Sequence, residues 1–120
     1  VVMWNLALDE KNGPHLGGCG NCRGLVTINS QSGEVTREPE YYAFAHASKF
    51  VPVGAVRIAS ASTDRAIESV AFQNGRNGPI TLIALNDSSA ERALTFAVGS
   101  KTYSATLSAG AVATFKVPSH

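Results

Sequence analysis

The sequence predicts a mainly β chain with one helix: an antiparallel β-sandwich-type domain preceded by a strand–loop–helix unit of the kind that builds a (β/α)8 barrel. Three observations predict it. From residue 55 onward, apolar residues recur at every second position in six short runs, the period of half-buried strands. One stretch alone, 38–50, carries convincing helical spacing. An apolar octet, 1–8, empties into a loop rich in Gly, Asn and Cys within "WNLALDEKNGPHLGGCGNCRG" (4–24).

Taken in order, residues 1–8 are apolar on both sides, Val1, Met3, Leu6 and Leu8 against Val2, Trp4 and Ala7, which suits a strand covered on both faces. Residues 9–24 hold five glycines, Pro14 and two asparagines, a loop by composition. At 16 residues it is longer than most structureless connections, and loops of that length tend to be functional or disordered. "LVTINSQSGEVTRE" (25–38) reads as a hairpin pairing 25–29 with 34–37 around a Ser-Gly turn. "EPEYYAFAHASKF" (38–50) reads as a helix, with Pro39 in the first turn, Glu38 and Glu40 at its positive end and Lys49 in its last turn. Tyr41, Phe44, Ala45 and Ser48 share one face, and Pro52 with Gly54 ends the helix.

The strands then follow: 55–60, 66–73, 79–87, 92–99, 101–108 and 110–117, with glycine-containing turns at 74–78 and 98–101. Strand 79–87 is apolar on both faces and is placed centrally; in 101–108, Tyr103, Ala105 and Leu107 face inward. This half is expected to be an antiparallel meander forming one sheet of a sandwich. The chain divides near residue 52, into 1–52 and 53–120.

Composition excludes several classes. With 44% hydrophobic and 16% charged residues the chain is a folded globular one. A net charge of +1 with dispersed lysines and arginines lacks the footprint of a nucleic-acid binder, and no apolar run reaches the roughly 18 residues of a membrane span. "VVMWNLAL" has no basic region before its apolar run, and Asp9 and Glu10 end that run too early for a signal peptide. Val1 is not an initiator residue, so the chain reads as processed or cut from a longer one, and it does not declare a compartment.

Cys19 and Cys22 form one C-x-x-C. Structural zinc needs four ligands, and although His15 is near, His46 and His120 have no metal-site spacing to the pair, so no metal is expected. The glycines around the pair argue against a thioredoxin-like redox centre, which opens a helix. A short local disulfide or two free thiols bracing the loop remain. Nothing in the residues calls for a cofactor.

"WNLALDEKNGP" (4–14), "EYYAFAHASKFVPVGAVRI" (40–58) and "ITLIALNDSS" (80–89) resemble the C-terminal part of glycoside hydrolase family 30, the family of lysosomal and bacterial glucosylceramidases. The resemblance implies a (β/α)8 barrel whose C-terminal segment returns, with a few N-terminal strands, as a side β-sandwich. Residues 1–8 would then be the last barrel strand, 9–24 its active-site loop, 39–50 the last helix and 55–117 most of the side domain. It also implies a retaining mechanism with two glutamates whose carboxyls lie about 5 Å apart. Both belong to earlier barrel strands, and none of Asp9, Glu10, Glu34, Glu38, Glu40, Asp64, Glu68, Asp87 and Glu91 matches them. The chain alone is therefore expected not to hydrolyse glycosides.

In the intact enzyme the resemblance places Trp4 and Asn5 where the last strand meets the sugar, an indole platform beside an amide donor and acceptor. His15 and Asn21 on the loop are further candidates for sugar contact; barrel core and solvated loop are the bland alternatives. His46, Tyr41 and Tyr42 are assigned to packing. The expected partners are a β-linked glucoside or glycan and the missing barrel, with family members often secreted or lysosomal. An apolar strand left alone would dock on its own β-domain or swap into a second copy as a dimer. The competing reading is a free-standing carbohydrate-binding module, disfavoured because Phe72, Phe96, Tyr103 and Phe115 mostly fit inward positions.

Overall fold

The computed structural model describes residues 2–118, so Val1 and His120 lie outside it. Contacts cluster into two units, 1–45 and 46–120.

In the first unit, β1 (Ala7–Leu8) pairs in parallel with β2 (Val26–Ile28), which pairs antiparallel with β3 (Val35–Arg37). The β2–β3 hairpin has the expected partners, Val26 opposite Arg37 and Ile28 opposite Val35. Asn29 shapes its turn: its side-chain oxygen accepts from the N–H groups of Gln31 and Ser32, and Gly33 takes a φ of 73°.

The expected eight-residue strand is shortened to Ala7–Leu8, where Leu8 is buried, and the apolar residues before it are not covered. Val2, Trp4 and Leu6 are 94%, 84% and 69% exposed. Apolar composition marks where a strand would be buried, but a strand exists only where a ladder partner runs beside it. Here β2 supplies that partner only from Leu25 onward, through Leu25 N–H to Asn5 O at 3.3 Å and Val26 N–H to Leu6 O at 3.0 Å.

Helix α1 (Pro39–Ser48) starts at the proline and ends two residues before the expected boundary, so His46 is the basic residue of its last turn and Lys49 lies beyond it. No α1 residue is buried. Tyr41 and Tyr42 meet edge to face at 5.4 Å, the Arg37 guanidinium lies 5.3 Å over the Tyr41 ring, and Tyr42 is 56% exposed.

The second unit is a sandwich. Strands β4 (Val56–Ile58), β5 (Ile67–Gln73), β6 (Ile80–Asn86) and β9 (Val112–Val117) form one antiparallel sheet in the order β4-β5-β6-β9. Strands β7 (Arg92–Val98) and β8 (Lys101–Leu107) form a separate two-stranded sheet. The meander expected in one sheet is thus interrupted: after β6 the chain leaves for the second layer and returns as β9 beside β6. Alternation every two residues sets which side chain faces the core, and it is silent on which strands pair.

Ile67, Ala84, Leu94 and Leu107 make the buried cluster, one from each of β5, β6, β7 and β8, with Phe96, Ala113 and Phe115 packed against it. Tyr103, Ala105 and Leu107 face inward as expected. β6 is central, and its second face is used too: buried Thr81 donates its hydroxyl to the Phe50 carbonyl at 3.0 Å. His46 Nδ1 lies 2.8 Å from the Thr114 hydroxyl on β9, the packing role foreseen for that residue.

Glycine is required at one hairpin position. A Cβ on Gly78, in the turn between β5 and β6, would overlap the carbonyl oxygen of Asn74.

Candidate functional site

The loop between β1 and β2 is held at both ends. At its start, the Asp9 carboxylate accepts from the N–H of Lys11 at 2.9 Å and of Gly13 at 2.7 Å, while Asp9 N–H donates to the Gly13 carbonyl at 2.8 Å. This is an Asx-type turn, the reason Asp is favoured where a strand breaks into a loop. Asn12, inside it, takes a φ of 61°, which Asn tolerates better than most residues.

Glu10, the next residue, points elsewhere. Its carboxylate accepts from the hydroxyl of Ser30 at 2.6 Å and the N–H of Ser30 at 2.8 Å, tying the loop to the β2–β3 turn. The Ser30 hydroxyl, then its backbone N–H, lower the Glu10 carboxyl from 4.5 to about 2. A carboxyl lowered on folding favours the folded form above its unfolded value of 4.5, and that contribution is lost as the pH falls through about 2. Carboxyl carbon shifts followed by NMR should show Glu10 titrating near 2 with Ser30→Ala moving the midpoint back toward 4.5; an unmoved midpoint would remove Ser30 as the cause.

At the far end, Arg23 bridges Glu38 at 3.2 Å and Glu40 at 2.8 Å, at the start of α1. The hydrogen bond from Arg23 holds the Glu40 carboxyl below its ordinary value. Glu38 also accepts from the Thr27 hydroxyl at 2.6 Å. Gly24 then lets the returning chain pass against β1: a Cβ there would sit 2.9 Å from the Leu6 carbonyl oxygen and 3.1 Å from Ala7 Cα, so a larger residue pushes the strands apart.

Between these anchors the tip is solvent-exposed. Cys19 and Cys22 are joined in a disulfide, which decides between the two alternatives left by the sequence. Asn21 lies inside that small ring, exposed, and His15 lies beside it, its Cε1 3.9 Å from where a Cβ on Gly20 would stand. Trp4 projects into solvent just before β1, with Asn5 half-buried beside it. No side-chain hydrogen bond joins Trp4, Asn5, His15 and Asn21 among the described residues. Asp9 and Glu10 are each engaged by backbone or serine and face different partners, so they form no acid–nucleophile pair. The anchors Glu10–Ser30 and Arg23–Glu38/Glu40 were not legible in the sequence because they span 15 to 20 residues and follow no periodicity.

The second unit has an open cleft of about 690 Å³ between the two sheets, where β7–β8 leaves part of the larger sheet uncovered. Ile58, Ile67, Ala71, Leu82, Phe96 and Val98 make it mostly apolar. Phe72, Phe96, Tyr103 and Phe115 are all half-buried, and Phe96 stacks on Tyr103 at 5.2 Å and meets Phe115 at 5.1 Å. They form no exposed aromatic strip. Among the described residues no helix is long and apolar enough to cross a membrane, and no cluster of three or more His, Cys, Asp or Glu could hold a metal.

This sandwich has a known counterpart: residues 54–115 match the model of the glycosyl hydrolase family 30 beta sandwich domain. The chain belongs to glycoside hydrolase family 30. Endo-1,6-β-D-glucanase BGN16.3 of Trichoderma harzianum is 53% identical over 57 residues, covering 46% of this family 30 chain and 11% of the fungal one. An endo-1,6-β-D-glucanase of Neurospora crassa is 34% identical over 94 residues, 72% of this chain and 20% of its relative. The solved structure of the endo-β1,6-glucanase BT3312 superposes with a TM-score of 0.86 at 33% identity, covering 98% of this chain and 26% of that one. The family 30 chain thus spans a fifth or less of these curated relatives and about a quarter of the solved enzyme.

Proposed function

We propose that this chain is the C-terminal part of a retaining family 30 β-glycanase that cleaves β-1,6-linked glucan, with the catalytic glutamates carried outside it and no hydrolysis by the chain alone. The observation that carries the reading is the match of 98% of the chain to 26% of a solved endo-β1,6-glucanase. A β-1,6-glucan is preferred to the glucosylceramide expected from sequence because the two fungal relatives above and this structure are named as β-1,6-glucanases, although Putative glucosylceramidase 3 of Caenorhabditis elegans is also 30% identical over 88 residues.

In this reading residues 1–52 are the last barrel strand, its loop, a hairpin and the last helix, and 53–120 are the side domain. Exposed Val2 and Leu6 would be covered by the rest of the barrel, and the apolar cleft of the second unit by the returning N-terminal strands. A chain without those partners exposes enough apolar surface to favour self-association. Trp4 and Asn5 would line the sugar site, with His15 and Asn21 on its rim. An exposed indole is the side chain best shaped to stack on a pyranose face.

The test is a chimera in which this chain replaces the matching quarter of BT3312. It should release reducing ends from a soluble linear β-1,6-glucan, and Trp4→Ala in it should lower kcat/KM by about 10-fold or more, the loss of a buried stacking contact of roughly 1.5 kcal/mol. The 120-residue chain alone should release none. Turnover by the chain alone, or a chimera that cleaves glucosylceramide and ignores the glucan, would overturn the reading.

A further inference from the structure

The loop tip stands out by how little holds it. Residues 14–22 make no hydrogen bond among the described residues, whereas the flanking Asp9, Glu10 and Arg23 make several. Every residue from Pro14 to Asn21 is exposed, and Leu16 is 106% exposed. Gly17 and Gly18 take φ values of 77° and 80°, and a Cβ on either would meet nothing within 4 Å. No packing and no backbone ladder order this segment. The one cross-link within it is the Cys19–Cys22 disulfide, with a Cα–Cα distance of 5.5 Å.

We propose that the Cys19–Cys22 disulfide is a thiol–disulfide exchange site: intact, it restrains the end of the loop tip that carries Asn21, and an external dithiol opens it and frees the tip. The chemistry follows from access. Cys19 is exposed while Cys22 is half-buried, so an incoming thiolate reaches the Cys19 sulfur. The Sγ–Sγ bond breaks, Cys22 leaves as a thiolate and takes a proton from water, and the reagent is bound to Cys19 as a mixed disulfide. The second thiol of the reagent then displaces Cys19 and closes the reagent's own disulfide. Two electrons pass from the dithiol to the pair, and both cysteines end as thiols.

Exposed disulfides are the labile ones, while buried structural bridges resist reduction. A ring closed over a separation of three residues removes little entropy from the whole unfolded chain, so opening it should leave the fold intact and act locally. Its effect on the tip is larger: the chain-entropy relation for a four-residue loop corresponds to roughly 20-fold in conformational restriction. The site stands independently of the glucan reading, since its readout needs no sugar. If the loop is a substrate rim, the same event would loosen Asn21 at the sugar.

The experiment treats the whole chain with dithiothreitol under native conditions. Alkylation mass counts free thiols, and a broad-specificity protease reads cleavage within 14–22. The expected result is full reduction with the thermal unfolding of the 46–120 unit unchanged and tip cleavage about 20-fold faster. The Cys19→Ser/Cys22→Ser variant should be cut at that faster rate with or without reductant. A disulfide reduced only when the chain unfolds would overturn the exchange site. A tip cut at the same rate in both redox states would overturn the restraint.

Discussion

Asn86→Ala will destabilise the sandwich unit by about 3 kcal/mol, and Asn86→Asp by about 4 kcal/mol or more, in urea unfolding followed by far-UV circular dichroism. Asn86 ends β6 and is the largest side chain in the described chain with no exposed surface. Its amide nitrogen donates to the carbonyls of Ala90 at 2.7 Å, Leu107 at 3.0 Å and Ser108 at 3.0 Å, two hydrogens shared among three acceptors. Its oxygen accepts from the N–H of Ser88 at 3.1 Å and the hydroxyl of Ser88 at 2.7 Å. One side chain therefore joins the end of β6 to the turn that leads into β7 and to the end of β8, where the chain changes sheets. Alanine removes every one of these bonds. Aspartate keeps the shape and the Ser88 contacts but turns a donor into an acceptor facing three carbonyls, and a charge there has no counter-ion. Asp87→Asn, one residue along and exposed, is the control and should stay within about 0.5 kcal/mol. Equal effects at 86 and 87 would remove Asn86 as the tie between layers.

Leu107→Ala should cost about 3 kcal/mol and release the β7–β8 hairpin before the larger sheet unfolds. Leu107 is 4% exposed and sits with Ile67, Ala84 and Leu94 in a cluster of only four buried residues. Truncation removes a large share of what the two-stranded layer contributes to that core. An isolated two-stranded hairpin is marginal in water, so its stability is borrowed from the sheet beneath it. Hydrogen exchange is the discriminating measurement: β7 and β8 amides should lose protection while β5 and β6 keep theirs. Leu107→Met, which conserves volume, should cost less than about 1.5 kcal/mol. If alanine costs under about 1 kcal/mol, the small layer is held by something other than this cluster.

Much of the fold was legible because the relevant signals are local. The 25–38 hairpin announced itself by alternation around Ser32–Gly33, and the structure pairs it with Val26 opposite Arg37. Pro39, with Glu40 beside it, marked the helix start correctly, because the missing proline N–H and the acidic first turn are properties of the end itself. The helix end was overestimated, since Lys49 and Phe50 keep a helix-compatible pattern although the turns stop at Ser48. The strand expected over 1–8 forms only at Ala7–Leu8 among the described residues for a related reason: its apolar residues describe a burial that only a neighbouring ladder and a covering layer can provide.

The candidate rim divides in the same way. Its composition of glycine, asparagine and paired cysteines was visible, and so were Trp4, Asn5, His15 and Asn21 as sugar-contact candidates. The anchors were not, because Glu10 meets Ser30 and Arg23 meets Glu40 only after the chain has turned back on itself.

The sequence by itself determined the β2–β3 hairpin, the helix start, the inward faces of the strands and the family, because propensity, two-residue alternation and long motifs are all carried within short windows. Tertiary structure alone decided that β7 and β8 leave the larger sheet, that β9 returns beside β6, and that Asn86 binds the crossing. Strand partnership is a contact between distant segments, and its energy resides in ladders and buried polar groups that no single segment contains.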